Sequence, residues 1–221
     1  FPLETAKQLF PLDSFSAYTI TTAIQRYGQN ERSLFTFLAA KGSNSISEFE
    51  PVKQLTYNLQ KVYDYILYNF YSYLKDANAD SMSWSTIQVS IERVEGQEWD
   101  SKKEMSQAVN LVKAIGLLNL FGTSGFKLTA EHIATYAKEA MAIDNAKAII
   151  QKLTAKKIVR YAVYKERLML FEGTDVDLEA EIRKAGLIVP RPVTFVDELN
   201  VFFNKRISQV KAHFFQKGTP L

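Results

Sequence analysis

Apolar residues recur at helical spacing along most of this chain, and the pattern is strongest in the middle. Between Met105 and Leu118 they stand three and four positions apart, as in a helix with one buried face: Met105, Ala108, Val109, Val112, Ile115 and Leu118. Further apolar residues make the end of this helix apolar on nearly every side. We therefore expect the helix to lie at the centre of the fold, covered by other elements on most sides. Gly122 and Gly125 should end it, because glycine readily adopts the positive φ that closes a helix.

Two shorter helices and a β-hairpin are predicted next. Thr129 occupies an N-cap position before a helix from Ala130 to about Glu139. A third helix should run from about residue 143 to residue 157, with an inward stripe of Ile143, Ala146, Ile150 and Leu153.

Residues 158–164 and 167–171 are rich in apolar, β-branched and aromatic side chains, which favours two strands. Lys165 and Glu166 lie between them, and since neither suits a tight two-residue turn, we expect a slightly longer loop. Three helices followed by a hairpin are the element order of a winged helix. We therefore predict a winged-helix domain over residues 101–173.

The first hundred residues predict a helical bundle. Asp13 and Ser14 mark the start of a helix that ends at Gly28, and Asn30 should cap a second helix over residues 31–40. A tyrosine-rich helix should span residues 48–75, and a weaker pattern predicts one over residues 82–95. The apolar face of the first helix consists of Ala17, Tyr18, Ile20, Thr21, Ile24 and Tyr27, and that of the second consists of Leu34, Phe35, Phe37 and Leu38. The tyrosine-rich helix has the apolar residues Leu55, Leu59, Val62, Ile66, Phe70 and Leu74, and the fourth helix has Trp84, Ile87, Val89, Ile91 and Val94.

Residues 174–221 are predicted to be a short C-terminal extension, and we expect it to be truncated. This extension begins with an acidic run, Asp175, Asp177, Glu179 and Glu181. Its carboxylates could hold Mg²⁺ or Ca²⁺ if they converge, but such a run is more typical of the first turn of a capped helix. The first residue is Phe1 rather than Met, which also indicates that the chain was cut from something longer. The fold class predicted for the whole chain is mainly α.

Composition narrows the class of protein. The chain has 221 residues, of which 47% are hydrophobic and 23% charged, as in ordinary globular proteins. The absence of cysteine excludes disulfides and thiolate chemistry and fits a reducing cytoplasm, where we expect the protein to reside. No apolar run approaches the roughly 18 residues that a membrane span needs, so no membrane partner is expected.

Positive charge is concentrated in the predicted winged helix. Residues 102–172 contain 12 Lys and Arg against 6 Asp and Glu, whereas residues 1–101 contain 8 against 12. A basic face suits double-stranded DNA, whose major groove admits the third helix of such a domain. Alternatively, the lysines only solubilise the surface, or the domain contacts protein. The candidate DNA-binding residues are Lys147, Gln151, Lys152, Lys156, Arg160, Lys165 and Arg167.

No motif predicts an enzyme or a cofactor bound by these residues. The sequence lacks the Gly-x-x-x-x-Gly-Lys-[Ser/Thr] phosphate loop and the nucleophile elbow of hydrolases. His132 and His213 have no second metal ligand at helical spacing, so no zinc site is predicted. The tyrosines of residues 48–75 could stack on bases, but no basic residue accompanies them between Lys61 and Lys75, which favours a buried helix.

Several short blocks, in the same order, resemble a known family. They are Phe10-Pro11-Leu12, the GQNERSLFTFL stretch of residues 28–38, Val62-Tyr63-Asp64-Tyr65, the IGLLNL stretch of residues 115–120 and the FEGTDVD stretch of residues 171–177. The chain resembles large prokaryotic P-loop ATPases of the AAA+ and STAND-like type, several of them from phage-defence gene clusters. In that family the Asn-Glu-Arg stretch lies in the helical lid that follows the nucleotide-binding core. The family usually has His-Pro where this chain has Asp13-Ser14, a departure that bears on the contact between lid and nucleotide.

The resemblance implies a non-catalytic C-terminal part of such an ATPase, whose missing P-loop core would bind ATP and Mg²⁺. Arg32, with Asn30 beside it, would sense the nucleotide, since the planar guanidinium grips phosphate oxygens bidentately. The chain would then couple nucleotide state to DNA or to partner subunits. Two rival hypotheses remain: a stand-alone winged-helix regulator whose N-terminal helices dimerise or bind a ligand, and a scaffold that binds only protein.

Overall fold

The computed structural model describes residues 7–28, 31–39, 44–50, 56–75, 79–123, 125–171, 182–183, 185–186 and 199. Residues 1–173 form one compact unit and residues 174–221 form a second. In the second unit the described residues are helical. The predicted acidic run, His213 and the block after Phe171 lie outside the described residues.

Within its described part, the first unit contains seven α-helices and one two-stranded sheet, so the predicted mainly α class is confirmed. Short 3-10 turns occur at Ile46–Glu48 and Val163–Lys165. The helices are α1 (Ser14–Tyr27), α2 (Glu31–Ala39), α3 (Leu59–Lys75), α4 (Ser81–Glu95), α5 (Lys102–Phe121), α6 (Ala130–Met141) and α7 (Ala146–Ala155), and the strands are β1 (Val159–Ala162) and β2 (Arg167–Leu170).

Side-chain caps fix two of the predicted helix starts. The Asp13 carboxylate accepts a hydrogen bond from the Ser16 N–H at 2.8 Å, and the Thr129 hydroxyl accepts one from the His132 N–H at 3.2 Å. Each cap satisfies an N–H group that the first turn of a helix leaves without a partner. The starts predicted from Asp13 and Thr129 are therefore confirmed.

Helix α5 is the central element, as its apolar pattern predicts. It packs against α1, α3 and α4 as well as against α6, α7 and β2. Gly116 permits the close crossing with α4, because a Cβ atom added there would lie 2.6 Å from Cγ1 of Ile87. The predicted domain boundary near residue 100 falls in the short connection between α4 and α5, two helices that pack on each other. The buried residues of α5 are Glu104, Ala108, Leu111, Val112, Ala114, Ile115, Gly116, Leu117, Leu118 and Phe121.

The strands form an antiparallel hairpin in which Val159 lies opposite Leu170. A four-residue loop joins them, as the unfavourable turn residues predicted, and Glu166 adopts a positive φ of 48° in it. The prediction that the first strand reaches Tyr164 was wrong. Val163 and Tyr164 lie in the loop and are 65% and 71% exposed, because their side chains have no neighbouring layer to cover them.

The hairpin is tied to the segment before α6 by backbone hydrogen bonds. The Leu128 N–H donates to the Glu166 carbonyl at 3.2 Å, and the Leu168 N–H donates to the Leu128 carbonyl at 2.7 Å. This bridge fixes the hairpin on the three helices that precede it in the sequence.

Several predicted helix bounds and buried faces are corrected by the structure. Helix α3 begins at Leu59 rather than near residue 48, because Tyr57 is held in an extended segment whose N–H donates to the Pro11 carbonyl at 2.7 Å. Helix α7 is confined to residues 146–155, and Lys157 beyond it has a positive φ of 55°. Leu55 lies outside the described residues.

The predicted buried face of α2 was wrong in part. Phe37 is fully buried, whereas Phe35 is 70% exposed and Leu38 is also exposed. The Phe37 ring packs edge-on against Tyr57 and Tyr65, with centroids 5.5 and 4.8 Å apart. Helix α2 is thus covered on one side only. Tyr18 in α1 and Val89 in α4, also predicted in apolar faces, are 39% and 40% exposed.

Candidate nucleic-acid and coupling sites

The outward face of α7 presents Lys147 and Gln151. The opposite face is buried through Ile149, Ile150 and Leu153, which turns these two polar side chains toward solvent. Lys147 Nζ lies 3.6 Å from Oε1 of Glu131, and both side chains are mostly exposed. Such a pair is weak in water, so Lys147 remains available to an anionic partner.

Lys152 and Lys156, also predicted to bind DNA, contact the α4–α5 connection and the first turn of α5. Lys152 Nζ lies 2.7 Å from both Asp100 Oδ2 and Glu104 Oε1, and Lys156 Nζ lies 5.5 Å from the centre of the Trp99 ring. The hydrogen bonds to Asp100 and Glu104 raise the pKa of Lys152, and the bond from Lys152 lowers the pKa of Asp100. The charge of Lys152 is thus already balanced within the fold.

Arg167 is directed into the protein. Its Nη2 donates to the Leu118 carbonyl at 3.3 Å, and its guanidinium lies 5.9 Å from the centre of the Phe126 ring. Burial lowers the pKa of Arg167, and its Nε is buried with no hydrogen-bond partner among the described residues. Gly122 makes room for it, because an added Cβ there would lie 2.6 Å from Nη2.

The remaining basic side chains of the hairpin differ in their exposure. Arg160 is half-buried and Lys165 is exposed, with its Nζ 5.4 Å from the centre of the Tyr164 ring. Of the seven predicted DNA-binding residues, Lys147, Gln151 and Lys165 are exposed and Arg160 is half-buried, and none of these four has a strong partner among the described residues.

The predicted nucleotide-sensing residue Arg32 lies in the first turn of α2 with an exposed side chain. Asn30 lies outside the described residues. Because Phe37 is buried against Tyr57 and Tyr65, α2 is anchored to the start and the middle of α3. Arg32 therefore projects from an element that is fixed at its other end.

A buried polar cluster joins the N-terminal helices to α6, and we call Asp13, Tyr136 and the Leu59 N–H the Asp13 joint. Asp13 Oδ2 accepts hydrogen bonds from the Tyr136 hydroxyl at 2.9 Å and the Ser16 hydroxyl at 2.8 Å. The Tyr136 oxygen in turn accepts from the Leu59 N–H at 2.8 Å. The joint thus connects the first residues of α1 and α3 with the middle of α6.

Burial dominates the electrostatics of the Asp13 joint. It raises the pKa of Asp13, and the hydrogen bonds from Ser16 and Tyr136 offset only part of this effect. Burial also raises the pKa of Tyr136, so its hydroxyl keeps its proton and donates to the carboxylate. The capping position of Asp13 is visible in the sequence. Its partner Tyr136 is not, because 123 residues separate the two.

Two of the blocks that carry the family resemblance, residues 62–65 and 115–120, lie mostly in the core. Val62, Tyr63 and Tyr65 are buried in α3, and Ile115 and Leu117 are buried in α5. These blocks therefore report packing around α5 rather than a chemical site. Among the described residues of the blocks, Arg32 has an exposed charged side chain, whereas Asp64 is partly buried and paired with Lys113 at 2.7 Å.

Within the described ranges, no group of three or more His, Cys, Asp or Glu side chains could hold a metal ion. None of the described helices has the length and hydropathy required to cross a membrane. Neither a protein-family model, nor a curated protein, nor a solved structure matches this chain.

Proposed function

We propose that this chain couples the nucleotide state of a P-loop ATPase core to duplex nucleic acid, through a winged-helix element formed by α5, α6, α7 and the hairpin. The observation that carries the proposal is the position of α5. This helix packs against α1, α3 and α4 and also against α7 and β2. A displacement of the N-terminal helices is therefore passed to the hairpin side by one shared, fully packed helix.

The sensing end is α2, which resembles the lid of the ATPase family and carries the exposed Arg32. Loss of a phosphate from Arg32 would shift α2, and the buried Phe37 would pass that shift to α3. The Asp13 joint then restrains α1 and α3 against α6. ATP and Mg²⁺ would be bound by the parent core.

The binding end consists of the exposed Lys147, Gln151 and Lys165 together with the half-buried Arg160. Helix α7 carries no arginine, the side chain that makes the commonest specific base contact. Lysines act on phosphates as point charges, which position a protein on a duplex without reading its sequence. We therefore propose binding with little sequence preference.

Titration of a fluorescent generic duplex at several salt concentrations tests this proposal. We expect log K to fall linearly with log salt concentration, because phosphate contacts release counterions. The double variant Lys147→Met/Lys165→Met should reduce the slope by about 0.9 for each contact removed. Lys7→Met, an exposed cation before α1, is the matched control and should leave the slope unchanged. Salt-independent binding, or equal loss in the control, would refute the duplex contact.

The coupling half of the proposal is tested in the parent protein. Reading the gene upstream of Phe1 should reveal a P-loop, and a start codon immediately before Phe1 would favour the stand-alone regulator. With the core present, Arg32→Ala should lower ATPase turnover, whereas Lys7→Ala should not. Unchanged turnover in Arg32→Ala would remove the sensing role.

A further inference from the structure

The tip of the hairpin presents large apolar and aromatic side chains to solvent. Val163 and Tyr164 in the loop are 65% and 71% exposed, and Tyr161 near the end of β1 is 43% exposed. Single exposed apolar residues are common on protein surfaces, but three of them within four positions form a patch. Such a patch is typical of a surface that binds a partner.

Hydrogen bonds and an ion pair hold the tip in place. The Glu166 N–H donates to the Val163 carbonyl at 3.1 Å, and the Leu128 N–H donates to the Glu166 carbonyl at 3.2 Å. The Glu166 carboxylate also forms an ion pair with Lys127. The exposed side chains therefore project from a backbone that is already ordered, which reduces the conformational entropy lost when a partner binds.

The charge around the tip restricts the kind of partner. Residues 156–171 contain five Lys and Arg against one Glu, and this residue, Glu166, is paired with Lys127. The ammonium of Lys165 lies 5.4 Å from the centre of the Tyr164 ring. A purely apolar partner would remove water from these cations without supplying an opposite charge. The tip therefore suits a polyanion that also offers flat apolar faces.

A nucleic-acid strand combines these two features, because its phosphates attract cations and its bases stack on aromatic rings. The exposed tyrosines of α3 lack this setting, since no basic residue lies between Lys61 and Lys75. Bases inside a duplex are stacked on their neighbours, so a base has a free face where pairing ends. The combination of exposed tyrosines and cations at the tip thus favours an unpaired base over the interior of a duplex.

From this geometry we infer that the hairpin tip binds an unpaired base at a junction between double-stranded and single-stranded nucleic acid. Tyr164 stacks on the base, and Lys165 contacts a phosphate of the same strand. The ammonium of Lys165 lies over one face of the Tyr164 ring, so the base stacks on the other. The inference rests on the proposed function and narrows its substrate to such junctions.

Two fluorescent ligands of equal charge test the inference. Both consist of the same duplex with a single-stranded arm of about ten nucleotides, and the arm carries bases in one ligand and only abasic sugars in the other. We expect the wild type to bind the arm with bases about tenfold more tightly. Tyr164→Leu should abolish this preference, whereas Tyr164→Phe should retain it. Tyr68→Leu, which changes a 64% exposed tyrosine of α3, is the matched control and should also retain it.

Equal affinity of the wild type for the two arms, together with salt-dependent binding of the duplex, would overturn this inference and leave the proposed function intact. Equal loss of preference in Tyr164→Leu and Tyr68→Leu would overturn it as well. Absence of binding to either ligand would refute both proposals and leave the tip to a protein partner.

A second measurement reports the stacking itself. The fluorescence of 2-aminopurine at the first unpaired position should change when the wild type binds and should not change when Tyr164→Leu binds. An equal fluorescence change with both proteins would contradict stacking on Tyr164.

Discussion

The hydroxyl of Tyr136 donates a 2.9 Å hydrogen bond to Oδ2 of Asp13, a residue 123 positions earlier in the chain. Asp13 also caps α1, and the Tyr136 oxygen accepts the Leu59 N–H at the start of α3. One buried phenol therefore restrains two N-terminal helices against α6. This contact joins the N-terminal helices to the helices that precede the hairpin.

Tyr136→Phe should destabilise the protein by about 1–3 kcal/mol, because it leaves the buried Leu59 N–H without an acceptor and removes a donor from the partly buried Asp13 carboxylate. Urea unfolding measures the change. Tyr161→Phe is the matched control, since the Tyr161 side chain is exposed on β1, and its effect should stay within about 0.5 kcal/mol. Equal stability of wild type and Tyr136→Phe would show that the joint does not hold these helices together.

The raised pKa of Asp13 predicts a pH dependence of defined sign. A carboxyl whose pKa is higher in the folded than in the unfolded protein contributes stability that is fully present below its ordinary pKa and lost as the pH rises through the folded value. Asp13→Asn keeps a capping side chain that does not titrate. From about pH 4 upward, wild type should therefore lose stability relative to Asp13→Asn. Urea unfolding across this range checks it, and a difference that does not change with pH would contradict the assignment.

Gly116→Ala should destabilise the crossing of α4 and α5. The added methyl would lie 2.6 Å from Cγ1 of Ile87, and overpacking of this kind costs about 1–3 kcal/mol. Shortening Ile87 removes the atoms that the added methyl would clash with. Gly116→Ala should therefore lower the free energy of unfolding by less in an Ile87→Ala background than in wild type. A double-mutant cycle measures this coupling, and strictly additive effects would mean that the helices separate instead.

Lys152→Met should lower stability, because Glu104, which is buried, and Asp100 both lose their cationic partner. The contact with Lys152 lowers the pKa of Asp100 in the folded protein. This contact therefore contributes folding stability that is present above the ordinary pKa of Asp100 and is lost as the pH falls through the folded value. The destabilisation should therefore be larger at neutral than at acidic pH. Lys147→Met is the matched control on the same helix and should be silent, since its partner Glu131 is exposed. An equal effect of both changes would contradict a structural role for Lys152.

The helix starts after Asp13 and Thr129 and the centrality of α5 could be predicted, because both depend on local pattern. A cap needs only the residue at Asp13 or Thr129 and the first turn after it, and burial of α5 follows from apolar residues on nearly all its sides. The hairpin was predicted for the same reason. Its first strand was predicted to extend too far, because Val163 and Tyr164 are residue types that favour strands but lie in the loop where the chain reverses.

The sequence does not predict which apolar side chains of a partly covered helix are buried. It also does not predict which partners the long lysine side chains contact. Phe35 and Phe37 are equally apolar, and which of them is buried depends on where Tyr57 and Tyr65 lie. Lys147 and Lys152 are both lysines of α7, yet only Lys152 contacts Asp100 and Glu104. The Asp13 joint has the same origin, because tertiary contacts between distant residues leave no periodic signal.

Native-state hydrogen exchange tests most directly whether the N-terminal helices and the helices that precede the hairpin act as one body around α5. The slowest amides of α1, α3, α5 and α6 should open with a common free energy, and Tyr136→Phe should lower that energy equally in all four helices. If α1 and α3 opened at a distinctly lower free energy while α5 and α6 stayed protected, the two parts would be independent, and the proposed coupling would fail.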